Sequence, residues 1–547
     1  DPLPQAAIAH IMGYGDWKAY REHLDQHRSR VAGHFQQLIA TPEAGKEQKL
    51  ADSSLWGEAL TASTLSDLGF LLAPESLQRL QDLQSSSRVM TLQTQGKARL
   101  EQFMPQLLRA CGEVENPDLA LQRILPLVSA VLRRSAYLML LLENPQALRE
   151  LVVLCGASPW IADQLCRSPV LLDELLDRAS LYLAPDKDRL QDELRQQVAR
   201  LAIDDLEAQM DVLRYFKASQ VLRVAASEIT GRLPLMQVSD NLSWIAEVIL
   251  QQVVTVAWAD LVSKYGEPGR DSSGMGFAVF GYGKLGGIEL GYGSALDLVF
   301  VHGGTPRGTT DGTRTIDNTV FYTRLGQRII HILETRMDLG QLYEVDMRLR
   351  PSGDSGMLVI SIGGYKVYQQ ESAWTWEHQA LVRARFVAGD PVVARQVEAV
   401  RQEVLCRERD EADLVRDVQK MREKMRRHLL PASAIENRQF HLKQGLGGIV
   451  DIEFMVQYTV LAWSHHFPEL ARWTDNVRIL ETLSQQGLFE QRESEVLTEA
   501  YLAYRSAAHQ LSLQQQPDVA PLDRFADFRV AVTAKWQHLF GPEKTDT

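Results

Sequence analysis

Cysteine is scarce: the 547 residues hold four, Cys111, Cys155, Cys166 and Cys406. No two stand at the close spacing of a zinc site or a disulfide framework. That excludes a disulfide-stapled scaffold and fits a reducing compartment, so the expected location is cytoplasmic. Long apolar runs are missing too. None reaches the roughly 18 residues of a membrane span, and no cleavable targeting segment is visible, so no membrane partner is expected. An excess of positive charge is also absent, the formal net charge being −12 at pH 7. This excludes broad electrostatic attraction to nucleic acid. It leaves room for a nucleotide site, which needs only a few local cations. The chain opens at Asp1 rather than Met, within what reads as a helical stretch, and is expected to be part of a longer protein.

What is present is the composition of a soluble globular protein, 45% hydrophobic and 23% charged. At roughly one domain per 150 residues, about two to four are expected. The pattern divides into a helical linker over 1–60, a helical region over 61–260, a strand-containing core over 261–400 and a C-terminal helical bundle over 401–547. Near the start, Asp16 is a helix cap, and Trp17, Tyr20, Leu24, His27, Val31 and Leu38 recur at helical steps as one buried face. Segment 42–60 is polar and reads as a connection. Further on, helices are punctuated at Asn144-Pro145, Ser158-Pro159, Ser168-Pro169 and Ala184-Pro185, where proline sits just inside a helix start.

The character changes near 265, at Gly266, Pro268 and Gly269. Short apolar runs at 277–280 and 296–301 read as buried strands. Tyr343 to Leu349, Met357 to Ile362 and Leu381 to Val387 read as further strands, and Thr315 to Met337 as a helix. The expected fold class is mixed α/β and predominantly helical, with a small mixed sheet flanked by helices.

The chemistry concentrates in Phe280 to Phe300. A strand enters a turn built on Gly281 and Gly283, with Lys284 following, and a second strand carries Asp297. Glycines let backbone N–H groups approach phosphates closely, and a helix N-terminus adds partial positive charge. The spacing does not fit a Walker A loop. Gly281, Gly283 and Gly286 match G-x-G-x-x-G, but no βαβ unit with a later acid accompanies them. Taken alone, the segment is equally a tight turn. Period-two geometry on 343–350 places Asp346, Arg348 and Arg350 on one strand face, where they would hold a metal and contact phosphate, or else form a solvated face of ion pairs. Further along, Asp451 and Glu453 follow Gly445, Gly447 and Gly448. They would cap a helix or enter the active cleft. Arg422, Lys424, Arg426, Arg427 and His428 read as a solvated helix face, the sharper alternative being a docking surface. Trp374 and Trp376 read as core.

The run GYGKLGGIELGYGSALDLVFVH (281–302) resembles the active-site motif of polymerase-β-type nucleotidyltransferases. More narrowly, it resembles the glutamine synthetase adenylyltransferase family. YEVDMRLRPSG (343–353), WTWEHQALVRARFVAGD (374–390), LKQGLGGIVDIEFMVQ (442–457) and WTDNVRILETL (473–483) carry the same resemblance, in order, along most of the chain.

The resemblance implies a polymerase-β-like core and a two-part enzyme, one half removing AMP from glutamine synthetase by phosphorolysis and the other adding it. ELGYGS (289–294) resembles the adenylylating half, expected to be the C-terminal one. It implies ATP as substrate, two Mg²⁺ ions in the intact site, and glutamine synthetase, the PII signal protein and glutamine as substrate protein, partner and effector. Metal ligands would be Asp297 and Asp346, and nucleotide contacts Gly281, Gly283, Lys284, Gly293, Ser294, Arg348 and Arg350. The family's motif has aspartate where this chain has Ala295. A methyl group ligates no metal, so the chain is expected to be impaired. An engineered change fits the otherwise intact site better than natural decay. The competing readings are a nucleotide- or PII-binding regulatory module without catalysis, and, within the enzyme class, the phosphorolytic deadenylylating half or a PII uridylyltransferase relative.

Overall fold

The computed structural model describes residues 17–21, 23, 55–57, 59–202, 204–270 and 274–541. They fall into two units, one of 1–122 with 131–143, the other of 123–130 with 144–547.

Every regular element among the first unit's described residues is a helix. Asp118 accepts hydrogen bonds from the Leu71 and Leu72 amides and from Ser76 Oγ, pinning the start of the helix Ala73–Ser85. Trp17 to Arg21 are helical, with the Trp17 and Tyr20 rings 5.4 Å apart. The expected cap Asp16 and the remaining stripe, Leu24, His27, Val31 and Leu38, lie outside the described residues, as does most of 42–60.

In the second unit, Pro145 and Pro159 occupy the first positions of the helices Pro145–Ala157 and Pro159–Arg167, where no amide donor is needed. Pro169 opens a 3₁₀ segment, Pro169–Leu175. Pro185 departs from the expectation: it precedes Asp186, whose side chain caps the helix Lys187–Val198. Two long helices follow, α1 (Leu206–Ile229) and α2 (Leu235–Tyr265). By length and composition α2 could cross a membrane, but most of that apolar stretch is buried inside the protein. It ends at Gly266, which takes φ +78°, a value open to glycine.

The sheet comes next. Strand β1 (Phe277–Gly281) pairs antiparallel with β2 (Leu296–His302), and helix α3 (Asn318–Glu334) follows. Strands β3 (Val345–Asp346) and β4 (Val359–Ser361) both run parallel to β2. Helix α4 (Thr375–Val382) leads into β5 (Arg385–Gly389), antiparallel to β1. The order is β3-β2-β1-β5, with β4 beside the far end of β2. Alternation along β1 and β2 feeds two cores. Phe277, Val279, Leu298 and Phe300 pack with α2 and α3, through residues such as Val253, Ala257, Phe321 and Leu325. Ala278, Phe280, Val299 and Val301 belong to a second core shared with the C-terminal helices. These include α5 (Glu411–Leu429), α6 (Ile449–Trp463), α7 (Asn476–Gln485), α8 (Gln491–Leu513) and the last described helix, Ala526–Phe540, with a two-stranded ladder of β6 (Gln439–His441) and β7 (Val519–Pro521).

The fold class is as expected: predominantly helical α/β around one small mixed sheet. Particular elements differ. The strand expected over 343–349 is two residues long. Leu381 and Val382 close helix α4 rather than open a strand, because a short apolar run looks the same in either state. Trp374 is 70% exposed and Trp376 37%, so neither is core. The basic run on α5 is not uniformly solvated: Arg422 is buried and bonded to Asp451 at 2.5 Å. None of the four cysteines forms a disulfide.

Candidate active site

β1 delivers the chain into the glycine turn. Gly283 takes φ +53°, and a Cβ there would lie 2.5 Å from Asp297 Oδ2. Only glycine lets the turn sit against that carboxylate. The Tyr282 amide donates to the Asp297 carbonyl at 2.9 Å, tying the turn to β2. The Tyr282 ring points the other way, its hydroxyl 2.9 Å from that of Tyr365 in the core. A one-turn helix, Gly283–Gly286, follows. A Cβ on Gly286 would strike the Arg383 carbonyl, and the Gly286 carbonyl accepts from Thr474 Oγ1 at 2.8 Å and Arg385 Nε at 3.1 Å.

Behind this turn lies a buried ionic hub. Arg383 pairs with Glu289 and, at 2.6 Å, with Glu453 of α6. Glu289 also accepts from Tyr501 Oη at 2.6 Å and stands 3.7 Å from Arg505. Burial pushes the Glu289 pKa upward, but the Arg383 and Arg505 guanidiniums and the Tyr501 hydroxyl overcome it and hold the carboxyl below its ordinary range. Arg383 is held protonated by the same partners.

The second half of the motif forms the turn into β2. Ser294 Oγ accepts from the Gly291 amide at 3.0 Å, and Tyr292 Oη donates to Glu228. Ala295 and Asp297 stand two residues apart, so both project to one face of the chain. Parallel pairing sets Asp297 directly opposite Asp346. Burial, then the nearby Asp346 charge, raises the Asp297 pKa to about 6. Asp346 is pushed the other way, chiefly by its hydrogen bonds from Arg348.

A cavity of about 510 Å³ opens over these groups. Gly283, Lys284, Gly293, Ser294, Ala295 and Asp297 line one side. Lys284 is exposed to the cleft yet crowded, and burial of its stem, with Lys443 and Arg505 nearby, lowers its pKa. The opposite wall was largely illegible in the sequence. It comes from Leu349, Trp376, Met421, Met425, Lys443 and Phe454, with Arg383 and Glu453 at its base. The signals available for this wall were Glu453 beside the later glycine cluster and the tryptophans of 374–376, the latter read as core.

Four expected site residues do not line the cavity: Asp346, which faces Asp297 from the adjoining strand, and three that stand elsewhere. Gly281 does not line the cavity; a Cβ there would press on Leu285 and Val387, so its smallness serves packing. Arg348 and Arg350 do not share a strand face with Asp346, because β3 ends at Asp346 and the chain turns. Arg348 instead folds back onto Asp346, its amide at 2.9 Å and its guanidinium at 2.5 Å. Arg350 bonds to the Met347 carbonyl at 2.8 Å and to Asp354. The two readings of the later acids separate. Asp451 sits in the first turn of α6 and accepts from the Gly447 amide at 2.7 Å, while Glu453 reaches the cleft.

The donor set suits a hard divalent cation. Asp297 and Asp346 are carboxylates in adjacent register, and Asp297 is unfavourably charged without a cation beside it. Ala295 offers no oxygen beside them, and no cluster of three or more acidic, histidine or cysteine side chains placed to hold a metal occurs among the described residues.

The family model for glutamate-ammonia ligase adenylyltransferase matches residues 148–400, and that for GlnD PII-uridylyltransferase matches residues 418–534. Proteins named bifunctional glutamine synthetase adenylyltransferase/adenylyl-removing enzyme are similar at 49% identity in Pseudomonas putida, 50% in Pseudomonas syringae pv. tomato and 48% in Nitrosococcus oceani. Each alignment covers 98% of this chain, and 57%, 57% and 56% of the respective relative. Nearly the whole of this chain is thus similar to a little over half of a bifunctional glutamine synthetase adenylyltransferase/adenylyl-removing enzyme.

Proposed function

We propose that this chain carries the adenylylating half of such an enzyme, transferring AMP from ATP to a tyrosine of glutamine synthetase and releasing pyrophosphate. The observation that carries the reading is the facing pair Asp297 and Asp346, of which Asp297 lines a cavity bounded by the glycine turn. In the intact site the tyrosine oxygen attacks the α-phosphorus in line. The new bond is oxygen to phosphorus, and the bond broken is that to the departing pyrophosphate. Gly283 brings the turn backbone against Asp297, and Lys284 places a cation where phosphate oxygens would lie. Trp376, Met421, Met425 and Phe454 offer an apolar wall for the adenine ring. Mg²⁺ held by Asp297, Asp346 and the carboxylate missing at 295 would supply charge neutralisation at the phosphates and a lowered pKa for the attacking hydroxyl. Arg348 neutralises Asp346 in its absence, and it would release that carboxylate to a cation.

Ala295 favours a second reading, a cytosolic module that binds nucleotide or PII and responds to glutamine without catalysis. Transfer of labelled AMP to unmodified glutamine synthetase, with Mg²⁺, separates the two. Labelling by an Ala295→Asp variant and not by the unsubstituted chain supports an adenylyltransferase inactivated at 295. Failure of both, with PII and glutamine added, moves the binding module ahead. Release of ADP from adenylylated glutamine synthetase with inorganic phosphate would identify the deadenylylating half instead.

A further inference from the structure

Two lysines from distant parts of the chain line both the cleft and a small recess beside it. Lys284 comes from the one-turn helix after β1, and Lys443 from the turn between β6 and α6. Among the described residues neither ammonium forms a hydrogen bond or an ion pair. Three nearby acids are committed elsewhere, Glu453 and Glu289 to Arg383 and Asp346 to Arg348, while Asp297 lines the same cavity without an ion pair. Asp518 shares a small recess with both lysines and pairs with neither. Glu453 and Asp518 act on Lys284 and Asp297 on Lys443 only through space, so neither ammonium has a paired partner, and an extended polyanion is the ligand that would pair with both.

The backbone that presents Lys443 is fixed before any ligand arrives. Its amide donates to His441 Nδ1 at 3.2 Å, and its carbonyl accepts from the Val450 amide at 3.2 Å. The buried Arg422 clamps the next residue, donating to the Gln444 side-chain oxygen and carbonyl, both at 3.0 Å. Glycine at 448 is required by close approach: a Cβ there would lie 2.7 Å from the Leu442 carbonyl. Such a preformed turn lowers the entropy cost of gripping a ligand.

We propose that Lys443 is a nucleotide contact, which with Lys284 clamps the triphosphate of ATP across the cleft, so that the site is built jointly by the glycine turn of the sheet and the glycine-rich turn ahead of α6. It rests on the nucleotide-binding reading above and adds the residue that closes the site from the helical side. The phosphates beyond the α-phosphate are its ligands, so its contribution depends on how many the nucleotide carries.

The test is calorimetric titration of the chain and its Lys443→Ala and Lys443→Arg variants with ATP, ADP and AMP in the presence of Mg²⁺. Lys443→Ala is expected to weaken ATP about tenfold while leaving AMP unchanged, and Lys443→Arg to retain most of the ATP affinity. Equal weakening of ATP and AMP would mean a merely structural role, and unchanged ATP affinity would mean no contact; either overturns the proposal. If the unsubstituted chain binds none of the three nucleotides, the nucleotide-binding reading itself falls.

Discussion

Replacing Arg383 by methionine keeps its aliphatic stem and removes its charge. The Arg383 and Glu289 side chains are 5% and 4% exposed, so the variant strands a carboxylate out of water. Removing one partner of a buried pair typically costs about 3–5 kcal/mol. Here Glu289 keeps the Tyr501 hydroxyl at 2.6 Å and Arg505 at 3.7 Å, which places the expected loss near the lower figure, about 3 kcal/mol. The loss also depends on pH. In the unsubstituted chain the Glu289 pKa is held low, so its contribution is present above the ordinary carboxylate value and disappears only as pH falls through the folded value. In the variant, burial is left to raise that pKa, so the cost is full at neutral pH and fades on acidification. Urea unfolding followed by tryptophan fluorescence, at about pH 8 and about pH 5, measures both. A gap under about 1 kcal/mol at the higher pH, or one that fails to narrow at the lower, would falsify the ionic-hub account. Adding Glu289→Gln should recover much of the loss, since it removes the stranded charge.

Asp297→Asn should stabilise the Mg²⁺-free chain by about 1–2 kcal/mol near pH 8, because a carboxyl raised to about 6 costs stability once ionised; the gain should vanish below the ordinary aspartate value, read as converging thermal midpoints. Gly283→Ala, forced to φ +53° with its methyl against Asp297, should cost about 1–3 kcal/mol and weaken ATP binding; unchanged stability would mean the turn relaxes freely. Asp451→Ala leaves Arg422 buried without its carboxylate and should cost about 3–5 kcal/mol, checked by urea midpoint.

The parts of this architecture written in local pattern were legible. β1 and β2 are buried apolar runs bounded by glycine, and the prolines at 145 and 159 mark helix starts as their chemistry requires. Asp297 stood out from its motif. What local pattern does not encode is which distant segment supplies the opposite wall. Nothing near Lys443, Met421 or Phe454 says that they face Gly283 across a cavity; only the shared core of sheet and C-terminal helices brings them there. Arg348 and Arg350 were misplaced because period-two reasoning presumes a strand that continues, and β3 stops at Asp346. Arg422 was read as solvated because a guanidinium on a polar helix usually is; its buried partner, Asp451, lies on another helix.

The pins on the glycine turn bear on how the chain can be divided. Thr474 holds the Gly286 carbonyl, Tyr501 and Arg505 surround Glu289, and Glu453 completes the Arg383 pairing, all from beyond residue 400. A fragment cut at 400 would keep every strand of the five-stranded sheet and lose the far side of its ionic lattice. It would also bare the face bearing Phe280, Val299 and Val301. Such a piece would be prone to self-association, and the carboxylates would sit on a turn free to wander. The sheet supplies the reactive groups, but the helices after it make them a fixed constellation, so the smallest unit that can be inherited, expressed or swapped with its geometry intact reaches through the helix Ala526–Phe540.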